Sequence, residues 1–230
     1  LFNFIYQAPY LISSIFIFIG LGLVSAFKIT LALSFLFSGI FMYLFTKALF
    51  KNKNSAFLVA IFYQFASFRL VDLLVRGSFG EVYTYAFLPL VLVGLTKLFE
   101  ESKLRWFLLT TIATAFLIIS HNSVSLLFFG VCFLFVLFFA RSKKLLIFGL
   151  LSLLFGMFLA SYYWIPAVLE HKYTYGDLFM KDLYKNHFVP IQKFIIPNFT
   201  NSKALQTEGI ATQIGIFHVI AIALALYLLI

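Results

Sequence analysis

The stretch SVSLLFFGVCFLFVLFFA, residues 123–140, has no charged side chain in eighteen positions. Its apolar residues cover all sides of a helix instead of one face, so the medium around it is lipid or other helices. Such runs recur along the chain: 63% of the 230 residues are hydrophobic and 11% are charged. A soluble domain carries roughly 25% charged residues, so this composition excludes an ordinary soluble fold.

Eight apolar segments can be drawn, and several approach the roughly 20 residues that a spanning helix requires. They are 10–27, 30–50, 55–68, 82–98, 104–120, 123–140, 145–164 and 214–230. They are too long and too uniformly apolar for the alternating strands of a barrel. We therefore predict an all-α fold, a polytopic transmembrane helical bundle with about seven or eight segments. For segment 10–27, a spanning, an interfacial and a re-entrant helix all stay open.

No Pro-rich or Ser-rich linker and no block of charge divides the chain, so we expect a single transmembrane domain over residues 1–230. The chain begins at Leu1 and ends in an apolar run, and we expect a fragment that is incomplete at both ends. The single cysteine, Cys132, excludes an internal disulfide and a multi-cysteine zinc site.

Basic residues form three clusters, and these occur at every second loop. The clusters are Lys47, Lys51 and Lys53; Lys97, Lys103 and Arg105; and Arg141, Lys143 and Lys144. Cytoplasmic loops carry such an excess, so we expect a multi-pass protein of the cell membrane with outer loops at 69–81, at the turn 121–122 and at 165–213. The net charge of +9 is then explained by topology and lipid headgroups, and no nucleic acid partner is predicted.

The densest polar cluster begins with Arg69, Asp72 and Arg76. If the third apolar segment continues to Arg76 as a helix, these residues share one face, and Asp72 reaches both arginines. A guanidinium group binds two oxygen atoms at once, which suits a phosphate. The alternative is an ion-pair cluster that fixes a helix end.

The same cluster continues through Gly77 and Gly80 to Glu81. The two glycines break the helix and let backbone N–H groups approach an anion. We therefore consider a pocket for a phosphate or pyrophosphate group in which Asp72 or Glu81 acts as acid, base or metal ligand. With both acids and both arginines counted, the cluster is neutral, so the purely structural alternative stays open.

Two further polar sites are predicted at the outer side. His121 and Asn122 lie in a tight turn between two apolar runs, where such residues most often cap a helix. His121 is also able to bind phosphate or to transfer a proton near neutral pH. Near the end of segment 145–164, Tyr162 and Tyr163 are typical of an interfacial aromatic belt, and Glu170 follows at the outer surface.

Several motifs resemble a family of bacterial and archaeal membrane proteins that carry a 6-pyruvoyl-tetrahydropterin synthase-related domain. They are FRLVD (68–72), RGSFGE (76–81), FLPL (87–90), SHN (120–122) and YWIPAVLE (163–170). The resemblance covers nearly the whole chain. The soluble pterin enzyme uses a three-histidine zinc site, but nothing in this sequence supplies that spacing, so no metal site is predicted.

The layout is also similar to that of GT-C glycosyltransferases, which take a sugar from a polyprenyl-phosphate donor on the outer face. This resemblance implies that Arg69 and Arg76 bind the donor phosphate and that Asp72 or Glu81 assists. Further residues would line the same cavity: Gly77, Gly80, His121, Asn122, Trp164 and Glu170. The usual catalytic acid of that superfamily would precede Leu1. A divalent metal ion is an open alternative, and no other cofactor is predicted.

Two other functions are compatible with the same residues. A transporter or flippase for an anionic lipid or solute would use the same arginines without breaking a bond. We see no inverted repeat and no pair of broken helices in the sequence, which counts against it. A non-catalytic scaffold that binds a partner through 165–213 is the other alternative.

Overall fold

The computed structural model describes residues 5–174, 191, 194 and 214–229. Within these ranges the chain forms helices and no β-strand, which confirms the all-α prediction. In chain order the elements are α1 (Ala8–Phe18), α2 (Leu23–Phe50), α3 (Lys53–Gln64), α4 (Ser67–Val71), a π-helical turn (Asp72–Arg76), α5 (Phe79–Glu101), α6 (Leu104–Ser120), α7 (Asn122–Phe139), α8 (Lys143–Leu159), α9 (Ser161–Glu170), a 3-10 turn (His171–Tyr173) and α10 (Ile216–Leu229).

The chain divides into two compact units. The larger unit consists of Leu1–Tyr63 and Ser78–Glu170, and it contains α1, α2, nearly all of α3, and α5 to α9. The smaller unit consists of Gln64–Gly77 and His171–Ile230, and it contains α4, the π-helical turn and α10. A single transmembrane domain over residues 1–230 stays a prediction.

Helix α5 is the centre of the larger unit, and it packs most extensively against α6 and α2. Small residues allow this close packing. Gly94 of α5 lies directly against Thr110 of α6, and a Cβ atom at Gly156 of α8 would come within 2.5 Å of Thr114 on α6. Helices in membranes associate through such small residues, because apolar side chains gain little by leaving lipid for protein.

Helix α2 shows the distribution of side chains expected for a lipid environment. Its buried polar residues are Thr30, Ser34, Ser38 and Thr46, and its exposed apolar residues include Leu36, Phe37, Ile40 and Leu44. The hydroxyl groups bond to carbonyl groups of their own helix, as Thr30 does to Ala26 at 2.7 Å. Polar groups inside and large apolar groups outside are the arrangement of a helix bundle surrounded by hydrocarbon.

Among the described residues, α2, α5 and α7 are long and apolar enough to cross a membrane, judged by length and composition. Two broken pairs meet the same test when each counts as one span: α3 with Ser67–Arg76, and α8 with Ser161–Tyr173. The described part therefore offers three to five spans, so the predicted count of seven or eight was only approximate. The expectation that no pair of broken helices exists is wrong.

The first predicted segment, 10–27, is divided differently in the structure. Helix α1 ends at Phe18, and α2 begins at Leu23 and continues through Lys28, which lies between the predicted segments 10–27 and 30–50. The break falls at Gly20, whose φ of +98° is a conformation that glycine adopts without strain. The eleven residues of α1 extend about 16 Å, well short of the roughly 30 Å hydrocarbon core, so α1 does not span a bilayer by itself.

The segment 145–164 is also interrupted, because α8 ends at Leu159 and α9 begins at Ser161. Pro166 lies inside α9. Helix α9 and the 3-10 turn occupy the first residues of the predicted outer loop 165–213, most of which lies outside the described residues. The other predicted loop, 69–81, is largely helical: only Gly77 and Ser78 separate the π-helical turn from α5.

One end of the larger unit carries a network of ion pairs. Lys51, directly after α2, pairs with Glu100 near the end of α5. Next to it, Glu101 pairs with Lys103 at 3.0 Å and with Arg105 at 2.7 Å. The first and second basic clusters therefore lie at the same end of this unit, as the positive-inside rule requires of two cytoplasmic loops.

Candidate functional site

Glu81 and His121 form a largely buried acid–histidine contact in the larger unit. Glu81 lies in the first turn of α5, where the helix dipole stabilises a carboxylate. Its Oε1 atom is 3.6 Å from Nε2 of His121, and the exposed fractions of the two side chains are 9% and 15%. The pair brings together two predicted site residues that are far apart in sequence.

His121 is the N-cap residue of α7. Its Nδ1 atom accepts a hydrogen bond from the backbone N–H of Val124 at 3.4 Å. The prediction that this histidine caps a helix is therefore confirmed. The hydroxyl group of Ser125 donates to the carbonyl group of His121 and holds the same turn from the other side.

Tyr6 covers the histidine, and Gly80 makes room for it. The rings of Tyr6 and His121 stack with centroids 4.8 Å apart and planes inclined by 17°. A Cβ atom at Gly80 would come within 2.6 Å of the Tyr6 ring and 2.5 Å of the Ser120 carbonyl oxygen. Glycine at position 80 thus serves close packing beside Glu81; an anion-binding role for its N–H stays a prediction.

Asn122 and Trp164 both have structural partners near this end of the larger unit. The hydroxyl group of Tyr163 donates to Oδ1 of Asn122. The indole N–H of Trp164 donates to the carbonyl oxygen of Met157 at 2.9 Å. Glu170 lies at the exposed end of α9. The assignment of Asn122, Trp164 and Glu170 to substrate binding stays a prediction.

The assignment of Tyr163 to an interfacial aromatic belt is wrong. This side chain is only 1% exposed and belongs to a packed cluster with Ala115, Ile119 and Ala160. Its neighbour Tyr162 is 56% exposed and fits the belt. Adjacent residues on a helix point in different directions, so the sequence did not show which tyrosine faces the protein.

The smaller unit contains an ion pair between Asp72 and Arg76. Nη1 of Arg76 lies 2.7 Å from Oδ1 of Asp72, whose side chain is fully buried, while that of Arg76 is 30% exposed. The guanidinium group of Arg76 also lies over the ring of Phe68, 5.9 Å from its centroid. The predicted contact between Asp72 and Arg76 is confirmed.

The backbone of this pair is a π-helical turn, which sequence spacing did not predict. It ends at Gly77, whose φ of +59° is left-handed and whose N–H donates to the carbonyl group of Asp72. π-helical turns are rare in proteins, and those that occur are often found at functional sites. Arg69 is buried as well, and its Nη1 atom donates to Oε1 of Gln64 at 3.3 Å.

Sequence reasoning missed Gln64 and the role of Tyr6. Gln64 lies near the end of an apolar run and carries no motif, so only its contact with Arg69 identifies it. Only the stacking of its ring on His121 identifies Tyr6. In the described part of the chain, no group of three or more His, Cys, Asp or Glu side chains is arranged to hold a metal ion.

Apolar helices, hydroxyl residues buried between them and ionisable groups at helix ends together define a helical membrane protein. A family model described as "6-pyruvoyl-tetrahydropterin synthase related domain; membrane protein" matches residues 2–228. The chain therefore belongs to this family, as its motifs indicated. No curated protein and no solved structure matches the chain.

Proposed function

We propose that this protein is a transferase that takes a sugar from a polyprenyl-phosphate donor on the non-cytoplasmic face of the cell membrane. The observation that supports this most is the buried carboxylate of Glu81, 3.6 Å from His121 Nε2 at the start of α5. Ionisable side chains at membrane depth are costly and usually serve a function. Glu81 is the residue to which we assign acid–base chemistry.

In the proposed reaction, a hydroxyl group of the acceptor attacks the anomeric carbon of the sugar. The bond between that carbon and the phosphate oxygen breaks, and polyprenyl phosphate leaves with the electron pair. Glu81 takes the proton of the attacking hydroxyl group as general base. By the family resemblance, Arg69 and Arg76 are assigned to phosphate binding, for which their guanidinium groups are suited.

The test is sugar transfer in membranes that contain the full-length protein and a labelled polyprenyl-phosphate sugar. Glu81→Gln is expected to lower the rate by about 10²- to 10⁴-fold, the usual contribution of a general base. Glu101→Gln is the matched control, because this acid lies in the ion-pair network at the other end of α5. Equal rates for wild type and Glu81→Gln would defeat the assignment.

The arginine assignment has its own test. The Asp72→Asn/Arg76→Ala double variant is expected to bind the donor more weakly and to transfer sugar more slowly. It removes both charges of the pair, so the local net charge is unchanged, while the Asp72 carboxylate and the Arg76 guanidinium group are both lost. Transfer equal to that of wild type would exclude a role for Arg76 in phosphate binding. Wild-type function in both Glu81→Gln and the Asp72→Asn/Arg76→Ala double variant would favour a non-catalytic scaffold.

A transporter or flippase of an anionic lipid is the second candidate, and the two broken helix pairs favour it. Transporters often form their substrate sites where spanning helices are interrupted. Proteoliposomes distinguish the two functions: a flippase moves a labelled anionic lipid between leaflets and leaves it intact. Movement of intact lipid without transfer of sugar would replace the first proposal with this one.

A further inference from the structure

The two ring nitrogens of His121 have different partners, and this fixes where its proton lies. Nδ1 accepts the N–H of Val124, so in the neutral ring this nitrogen carries no proton. The proton of the neutral imidazole then resides on Nε2. Nε2 is the atom 3.6 Å from Oε1 of Glu81, so the ring presents an N–H group to the carboxylate.

The orientation of the ring is held by neighbouring elements. Tyr6 stacks on one side at 4.8 Å. The stretch that contains Tyr6 is tied down because the N–H of the next residue, Gln7, donates to the carbonyl oxygen of Ile119 at 2.8 Å. Rotation of the imidazole would therefore break the helix cap and disturb the stacked ring together.

From this geometry we infer that His121 is a positioning residue that aims and stabilises the carboxylate of Glu81 and does not relay protons. A relay requires a histidine to accept a proton on one nitrogen and release one from the other. Nδ1 accepts from a backbone amide, which keeps its own hydrogen, so this contact passes no proton on. The inference rests on the proposed role of Glu81 as the reacting group.

The relation is the reverse of that in a Ser-His-Asp triad. There a carboxylate orients a histidine, and the histidine takes and gives the proton. Here a histidine, fixed by a helix cap and a stacked tyrosine, orients a carboxylate. The expected consequence is that a neutral group able to donate one hydrogen bond can replace the imidazole.

Two amide substitutions separate the tasks of His121. In His121→Gln the amide nitrogen reaches the region of the imidazole Nε2 atom and can donate to Glu81. In His121→Asn the side-chain oxygen lies near the position of Nδ1 and caps α7 well, but the side chain is too short for Glu81. Neither amide titrates near neutral pH, so neither can replace a proton relay.

The expected result is that His121→Gln keeps the rate of sugar transfer close to that of wild type. His121→Asn should lower it by about tenfold to hundredfold, because the contact with the charged Glu81 carboxylate is lost. Loss of activity in both variants would overturn the inference in favour of a relay. Full activity in both, or in His121→Asn alone, would overturn it in favour of a helix cap only.

A spectroscopic measurement tests the same inference without any activity. Nitrogen-15 NMR of histidine-labelled protein in lipid nanodiscs distinguishes the Nε2–H tautomer from the Nδ1–H tautomer and from the doubly protonated ring. The chain has four histidines, and the His121 signals are those lost in His121→Gln. We expect the Nε2–H tautomer, with an Nε2 signal that shifts in Glu81→Gln.

A protonated Nδ1 at neutral pH, or an Nε2 signal indifferent to Glu81→Gln, would overturn the inference. The NMR measurement and the transfer assay test different claims, so a negative result in one leaves the other informative. Absence of sugar transfer in wild type would remove the proposed function, whereas the tautomer and its dependence on Glu81 would still be decided. Thermal unfolding of His121→Gln and His121→Asn identifies any variant whose activity is lost through unfolding.

Discussion

The Glu81–His121 pair and the Asp72–Arg76 pair are built in opposite ways. Asp72 and Arg76 lie four residues apart within one short helical turn, and their contact needs no other element. Glu81 and His121 belong to different helices, and their contact depends on the close approach of α5 and α6. Small movements of the helices relative to each other leave the contact within one turn unchanged. The same movements change the distance between two residues on different helices.

The two pairs also differ in how their groups are held. Arg76 is partly exposed and bonded to a fully buried acid. His121 is fixed by a cap and a stacked ring. The first arrangement suits the binding of an anion, and the second suits exact placement of a reacting group.

The largest expected effect is all-or-none and concerns the side of the membrane. In a Cys132→Ala background, Ser78→Cys and Ser123→Cys should react with a charged thiol reagent added outside. Ser102→Cys and Ser142→Cys, near the basic clusters, should react only after permeabilisation. The physical reason is the excess of Lys and Arg in cytoplasmic loops.

Labelling of Ser123→Cys and Ser102→Cys from the same face would contradict the topology. Labelling of Ser123→Cys only after permeabilisation would remove the Glu81–His121 pair from the outer side, where the proposed donor is found. Cys132 needs replacement only as a precaution, since it is completely buried.

Arg76→Ala should lower the free energy of unfolding by about 3 kcal/mol, because it removes one partner of a fully buried carboxylate. Addition of Asp72→Asn should recover part of this loss, since a buried amide costs less than a buried carboxylate. Lys97→Ala is the matched control: its partner Glu100 is partly exposed, and a change of about 0.5 kcal/mol is expected. SDS titration measures the free energy of unfolding of all three variants. An effect of Arg76→Ala no larger than that of Lys97→Ala would show that the Asp72–Arg76 pair is not buried.

Gly80→Ala should destabilise the protein by about 2 kcal/mol, because the added methyl group overlaps the Ser120 carbonyl and the Tyr6 ring. Gly130→Ala in α7 is the control, since a Cβ atom there meets nothing within 4 Å. Thermal unfolding in detergent compares the two. Equal unfolding midpoints for Gly80→Ala and Gly130→Ala would show that α5 and α6 are farther apart at Gly80. The contact between Glu81 and His121 would then be weaker as well.

The smallest effect is expected for Tyr163→Phe, which removes the hydroxyl group that donates to Asn122. The loss of one such hydrogen bond costs about 1 kcal/mol. Tyr162→Phe, at an exposed position of the same helix, should leave the unfolding midpoint unchanged. A larger effect at Tyr162 than at Tyr163 would reverse the assignment of the two tyrosines.

The sequence predicted one pair and not the other, and the reason is distance along the chain. A spacing of four residues places Asp72 and Arg76 on one helical face, so their contact could be inferred before any packing was known. The alternation of basic clusters predicts that Glu81 and His121 lie toward the same side. This alternation does not say which side chains meet at that side. Tyr6 belongs to no motif that links it to His121.

The amino-acid sequence by itself determined that this is a helical membrane protein and where its charges concentrate. Transfer of apolar side chains into lipid and pairing of the backbone within a helix depend on each segment alone. The tertiary structure decided where α1 and α9 begin and end, which tyrosine is buried and which atom of His121 faces Glu81. These properties depend on atoms of distant helices in van der Waals contact, and no single segment encodes such contacts.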